Sequence, residues 1–348
     1  MKTWDVIVVG GGIIGLSLTI ALNKRGMRVL VVERGEPGRE ASHAAAGMLV
    51  DSLEETPTVL QALATASARM YPEFARELED ESGMKVDLRD QGTLVLDRMD
   101  GEAPARLAEL EPVVAHSNRP VRFLPERSVD PRALVAAALK AAKHRGIDIS
   151  SGAAVTAVLL SDGRVSGVST EKSHYSAPIV VNCAGAWAGQ FGPHPFPTRP
   201  AKGQMLAVVG QPVLRHVIRA PEVYLVPRSD GRIVIGATVE DAGYDKRTLP
   251  ETIHRLHQAA VALIPELAKA RIHEAWAGLR PVTPDNLPIL GETSTPGYFV
   301  ATGHFRDGIL LAPVTARVMA QAICREKPGY ELDAFSPGRF SGKRQTVG

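Results

Sequence analysis

The stretch VIVVGGGIIG, residues 6–15, predicts a β-strand that turns through glycines into a helix. Val6 to Val9 are all β-branched and apolar, the pattern of a strand buried on both faces. Gly10, Gly12 and Gly15 then fill the positions of a G-x-G-x-x-G turn. Gly10 permits the tight turn, Gly12 lets a pyrophosphate approach the backbone, and Gly15 lets the following helix lie close to the strand. Seventeen residues separate Gly15 from Glu33, which ends a second apolar strand, RVLVVE. Strand, glycine turn, helix, second strand and terminal acid together specify a βαβ dinucleotide site, with phosphates at the helix N-terminus. Glu33 can accept hydrogen bonds from ribose hydroxyls and would repel a 2′-phosphate, which argues against an NADP-type ligand.

The chain has 348 residues, 45% hydrophobic and 22% charged, with a net charge of +2. That is enough sequence for a large core and predicts two domains. No long basic run points to nucleic acid, and no apolar segment is long enough for a membrane span. The N-terminal apolar run is interrupted by glycines and lacks a cleavage signal, so it does not read as a secretory leader. The two cysteines, Cys183 and Cys324, have neither metal-site nor disulfide-framework spacing and fit a cytoplasmic protein. H-E-x-x-H, C-x-x-C, G-x-S-x-G and G-K-[ST] motifs are missing from the sequence, and no metal is expected.

Further along, periodicity predicts a helix over 57–83 with Leu60, Leu63, Ala64, Met70, Phe74 and Leu78 on its apolar stripe. Asp130-Pro131 marks another helix start, and Gly146 its stop. Val155–Leu160 and Val165–Ser169 flank a hairpin turn at 161–164. Ala177–Cys183 reads as a buried strand and Pro193–Pro200 as a crossing between domains. After it come the strands GQMLAVVG, VYLVP and RIVIGATV, a helix over 251–267, and a strand, glycine turn and long last helix within TGHFRDGILLAPVTARVMAQAI. Residues 327–348 are polar and are expected to fray.

These blocks resemble the flavin-dependent amine and amino-acid oxidases of the D-amino-acid oxidase superfamily, nearest to its members that oxidise glycine in bacterial thiamine-thiazole synthesis. The resemblance runs through VVGGGIIG with Glu33, AAAGML (44–49), VNCAGAWAG (181–189), VYLVPRSDGRIVIGATV (223–239), AGLRP (277–281) and GHFRDGILLAP (303–313). It implies an α/β fold: a Rossmann-type, glutathione-reductase-like FAD domain and an α+β substrate domain on a mixed or antiparallel sheet. The FAD domain would take segments 1–80, 130–192 and 276–348. The substrate domain would take 81–129 and 193–275.

The resemblance also implies site residues. Gly10, Gly12, Ile13, Ile14 and Gly15 would carry the FAD phosphates, and Glu33 and Arg34 the adenosine ribose. Ser42, Ala46, Gly47 and Met48 would line the flavin, and Val155 would meet the adenine. His304, Phe305, Arg306, Asp307, Gly308, Ile309 and Leu310 would wrap the isoalloxazine at the last helix. The substrate carboxylate would meet Arg280, with Tyr224 beside it and Arg306 nearby, and Met48 and Val239 would wall the pocket. Val239 stands where the family pattern leads one to expect methionine, which would admit a bulkier amine than glycine. No thiol accompanies AGLRP, so FAD is expected to be non-covalent, although His43 stands near the place where some relatives carry a residue close to the flavin.

The implied reaction is oxidative deamination of glycine, sarcosine, N-alkylglycines or small D-amino acids by hydride transfer to flavin. Dioxygen would be reduced to hydrogen peroxide, and glyoxylate or another oxo acid released with ammonia or amine. A planar guanidinium such as Arg280 suits a carboxylate through two parallel hydrogen bonds. A homotetramer is implied by the same likeness. The alternatives are a dehydrogenase with another electron acceptor, or a dinucleotide-binding protein without turnover. Duller roles are also open: Arg280 paired with Asp285, Tyr224 as an ordinary strand aromatic, Met48 as core filler, and Arg306 paired with Asp307.

Overall fold

Every side chain of Val6–Val9 is buried, with strands on both sides, and this run is central to a six-stranded sheet. A computed structural model describes residues 3–52, 55–96, 104–114, 119–210 and 213–340. The sheet order is Ile289–Glu292, Tyr298–Thr302, Ile179–Asn182, Val6–Val9, Val29–Val32, Asp148–Ser150. All neighbours are parallel except the first pair, and the register places Val6 opposite both Val29 and Ile179. Helices Ile13–Asn23, Thr58–Ser82, Pro131–His144 and Ala312–Ile323 cover one face. An antiparallel sheet of Val155–Ser161, Arg164–Thr170 and His174–Ser176 packs on the other. With both faces covered, the parallel strands need no polar alternation, which explains their continuous apolar runs.

A second sheet of seven strands runs Arg271–Val282, Arg199–Val209, Arg232–Gly236, Tyr224–Pro227, Val217–Arg219, Thr93–Leu96, Val121–Leu124. It is antiparallel except for the pairing of Val217–Arg219 with Thr93–Leu96. Helix Pro250–Leu263 buries Ile253, Leu256, Ala260 and Leu263 against it. This is the expected pair of a nucleotide-type α/β layer and a mixed sheet.

Most local predictions hold. The helix read over 57–83 spans Thr58–Ser82 and ends on Gly83 in the left-handed conformation. Tyr71 is the fully buried aromatic of its stripe, while Met70 and Phe74 are half-buried. The carboxylate of Asp130 accepts from the Arg132 and Ala133 amides, as an N-cap does. Asp162 and Gly163 both take positive φ, which a two-residue hairpin turn demands. Two expectations fail. The helix read over 251–267 stops at Leu263, because Pro265 breaks it into a 3-10 turn, Pro265–Lys269. The polar segment from 327 does not fray as far as 340. Phe335 is buried in the main core and Arg339 pairs with Asp285 at 2.8 Å. Residues 341–348 lie outside the described residues. No described helix is long and apolar enough to cross a membrane.

Candidate active site

The glycine turn opens onto a cavity of about 1230 Å³ that reaches from Gly10–Ile14 to Tyr224, Arg280 and Arg306. The first helix starts at Ile13 with Gly12 as a cap that has no side chain to offer. Ser42, from a segment distant in the chain, supplies the missing acceptor: its Oγ takes the Ile13 amide at 3.1 Å. Glu33 is 8% exposed, and its two carboxylate oxygens accept the Gly11 and Gly35 amides at 2.8 and 2.9 Å. The acid thus braces the turn as well as facing the cavity. Gly15 does not line the cavity. A Cβ there would collide with the Gly10 carbonyl, so its glycine serves the close approach of helix and turn.

Arg34 lines the cavity, but its guanidinium lies 3.5 Å over the Trp187 ring and pairs with Glu40 at 2.6 Å. Val155 lines the same end from the start of its strand. Ser42, Ala46, Gly47 and Met48 also line the cavity and form its middle wall. Two side chains unmarked in the sequence reading hold that wall. Trp276 Nε1 donates to the Ala44 carbonyl at 3.1 Å, and Arg228 Nη2 donates to the Ala46 carbonyl. Arg228 is 5% exposed, and burial pulls its pKa down to about 10. His43 points elsewhere, into a smaller neighbouring cavity with Arg39, Lys246 and Trp276. That removes it as a candidate for a covalent flavin bond.

The loop from His304 to Leu310 precedes the last helix, which begins at Ala312. His304, Phe305, Arg306, Asp307, Gly308 and Ile309 line the cavity, whereas Leu310 does not; its side chain is buried in the main core and its carbonyl accepts from Ser67. His304 is 3% exposed and bonds Thr315 Oγ1 through Nε2 at 3.1 Å; burial lowers its pKa to about 3, so the ring is neutral. Burial pushes Asp307 up to about 6 against the opposing charge of Arg306. The two form no salt bridge among the described residues, which removes the self-paired reading.

At the far end the second sheet presents Arg280 and Tyr224. Arg280 stands on the edge strand Arg271–Val282, and its guanidinium lies across Gly203 of the neighbouring strand, where any Cβ would occupy its space. Its Nη1 donates to the Thr238 carbonyl at 3.1 Å on the other side of that strand. Asp285 is taken by Arg339, so the structural pairing with Arg280 is not formed. The Tyr224 ring lies over Gly236 in the same way, its hydroxyl donating to Met205 Sδ at 3.2 Å. Burial raises the Tyr224 phenol pKa, while the charges of Arg280 and Arg306 oppose the rise. Burial lowers that of Arg280, opposed by Tyr224 and reinforced by the like charge of Arg306. The three predicted catalytic side chains are therefore brought together. Met48 is half-buried in the wall. Val239 also lines the cavity but is 67% exposed, a residue of its rim and not of a closed wall.

The residues present fit a dinucleotide cofactor. The side-chain-free turn at Gly10–Gly12, the buried acid at Glu33 and the length of the cavity are what an adenine dinucleotide needs. The opposite end, with two guanidiniums and a phenol, suits a small carboxylate.

Comparison with known proteins agrees. The profile of the FAD dependent oxidoreductase (DAO) family matches residues 5–322. The chain is 37% identical to the bifunctional protein ThiO/ThiG of Trichormus variabilis over 99% of its own length, and spans 56% of that longer protein. It is 32% identical to glycine oxidase of Geobacillus kaustophilus, covering 98% of both chains. It is 30% identical to hydrogen cyanide synthase subunit HcnC of Pseudomonas aeruginosa, covering 99% of this chain and 98% of that one. The crystal structure of Geobacillus kaustophilus glycine oxidase superposes with a TM-score of 0.92 at 30% identity, covering 97% of this chain and 99% of that one. The chain belongs to the DAO family of FAD-dependent oxidoreductases.

Proposed function

We propose that this protein oxidises glycine and related small amines (sarcosine, N-alkylglycines, small D-amino acids), with dioxygen as the final acceptor. The products are hydrogen peroxide, an oxo acid such as glyoxylate, and ammonia or amine. The observation that carries this reading is the meeting of Arg280, Tyr224 and Arg306 at one end of the cavity that starts at the glycine turn. FAD, when bound, supplies a ring that accepts hydride. Gly10, Gly12, Ile13 and Ile14 would hold its phosphates, Glu33 and the Arg34 segment its ribose, and Val155 its adenine. Ser42, Ala46–Met48 and His304–Ile309, which line the same cavity, would hold its ring.

The chain's own part is binding and orientation. Arg280 grips the substrate carboxylate by its planar fork, Tyr224 adds a hydroxyl, and Arg306 adds positive charge at the rim. With the acid fixed, the α-carbon has one orientation in the cavity. Desolvation by the surrounding wall favours the neutral amine, whose lone pair then assists loss of hydride. Segments 1–80, 130–192 and 276–348 form the FAD unit, and 81–129 with 193–275 the substrate unit. Sheet membership supports this division except at strand Arg271–Val282, which pairs throughout with Arg199–Val209 and so carries residues 276–282, Arg280 included, in the seven-stranded sheet of the substrate unit. The same reading carries a cytoplasmic homotetramer, checked by light scattering of the purified protein.

The test is anaerobic bleaching of the FAD-loaded protein with glycine, sarcosine, N-ethylglycine, D-alanine and D-proline, followed by peroxide measurement on admitting air. Bleaching with at least one and stoichiometric peroxide are expected. A yellow protein that none of them bleaches sinks the proposal. The exposure of Val239 favours a second reading within the same class, in which an N-substituent larger than methyl projects past the rim. N-ethylglycine bleaching faster than glycine would establish that preference.

A further inference from the structure

The side chain of Arg280 crosses a strand to find its partner. Ala201 is opposite Arg280 in the ladder, and Gly203 lies two residues further along. The guanidinium passes over Gly203 and reaches the carbonyl of Thr238, which lies beyond it on the segment that follows strand Arg232–Gly236. That segment is no longer a strand, yet it is held. Lys202 and Glu240 exchange both backbone hydrogen bonds at 2.9 Å, forming an isolated bridge. The Thr238 hydroxyl accepts the Gln204 amide at 2.9 Å and donates to the Glu240 carboxylate. Gln204, with no exposure, donates Nε2 to that same carboxylate at 2.8 Å and accepts the Leu249 amide at 2.7 Å. Lys202, 2% exposed, places its ammonium 3.9 Å from the other Glu240 oxygen.

This is a polar lattice inside an apolar sheet, and every member has a partner. A lone carbonyl on a free loop would let the guanidinium swing, and two parallel hydrogen bonds to a carboxylate tolerate little swing. We infer that Gln204, Thr238 and Glu240, backed by Lys202, form a positioning set that fixes the Thr238 carbonyl and through it aims the Arg280 fork. The inference rests on the proposed role of Arg280 as carboxylate anchor. It extends to specificity, because Val239 lies between two members of the set and the rim moves with them.

Acetate is the probe, since it offers the carboxylate and nothing else. Its affinity for the FAD-loaded protein is measured by calorimetry, beside the affinity for FAD. Thr238→Val removes the hydroxyl but keeps the carbonyl, and is expected to weaken acetate about three- to tenfold, the scale of one hydrogen bond. FAD affinity should stay within twofold. Thr238→Ser should restore acetate binding, which a merely bulky role for Thr238 would not. Glu240→Gln keeps the shape, serves as the second variant, and should weaken acetate in the same way. If Arg280→Lys weakens acetate while Thr238→Val and Glu240→Gln bind it like the parent, the positioning set is wrong and the anchor stands. If Arg280→Lys binds acetate like the parent, the anchor itself fails.

Discussion

At the scale of single residues, two small side chains matter as much as the charged ones they serve. Gly203 is glycine because a guanidinium occupies the space of its Cβ. Gly203→Ala should displace Arg280 and cost a charge-assisted fork, roughly tenfold or more in acetate affinity, with FAD retained. Unchanged acetate binding in that variant would show that the fork points elsewhere. His304 sets a pH dependence. Its folded pKa is depressed from 6.5 to about 3 by burial, so its contribution is whole above pH 6.5 and is lost as pH falls toward 3. In that window the unfolded chain takes a proton that the folded chain refuses. From pH 6.5 to 5 the loss is roughly 1.5 kcal/mol. Asp307 works in the opposite sense. Its raised folded pKa, about 6, lowers stability as pH rises from 3.8 to 6. Denaturant titrations of parent and His304→Gln at the two pH values cancel the Asp307 part. The variant should show the shallower fall with acid, and parallel profiles would contradict a buried neutral ring.

At the scale of elements, the first turn and helix act as one piece. Ser42 caps the helix from a distant segment, Glu33 holds the turn, and Gly15 lets the two approach. Gly15→Ala has no room to relax, since its Cβ meets backbone. Such overpacking costs about 1–3 kcal/mol. The variant should therefore melt at lower temperature and hold FAD at least tenfold more weakly, readable by the loss of flavin absorbance on dilution. The element-level pattern was largely legible. Val6–Val9, Asp130-Pro131 and the 161–164 turn are local signals, set by β-branching, capping and positive φ. Helix Pro250–Leu263 ends earlier than its periodicity implies because Pro265 outweighs the apolar pattern that continues to Leu267. The order of the tail to 340 is not legible in its polar composition because Phe335 finds its place only in a core made by remote helices.

At the scale of the whole molecule, the cavity is a joint product of two sheets. The six-stranded sheet supplies the turn, Glu33 and the His304 loop, and the seven-stranded sheet supplies Arg280, Tyr224 and Arg228. A ligand spanning both must stabilise them together. FAD at a hundredfold excess over its dissociation constant should add about 2.7 kcal/mol to unfolding. The melting temperature should climb with FAD concentration, and Arg228→Met, which loses the tie to Ala46, should blunt that climb. A melting temperature indifferent to FAD would mean that the cavity is not its site.

The nucleotide half of this protein is written in its local residue pattern. Its βαβ signals lie within about thirty consecutive residues, where backbone geometry and strand burial dictate residue type. The sequence also marks Arg280, Tyr224 and Arg306 as candidates through the family blocks. Only the packing of the two sheets turns Arg280 from Asp285 to the Thr238 carbonyl, lets Gly203 and Gly236 clear room for its guanidinium and for the Tyr224 ring, and faces His43 into another cavity. Those outcomes depend on which strands become neighbours. Pairing of strands far apart in the chain is fixed by burial of the whole sheet, and no local stretch of residues encodes it.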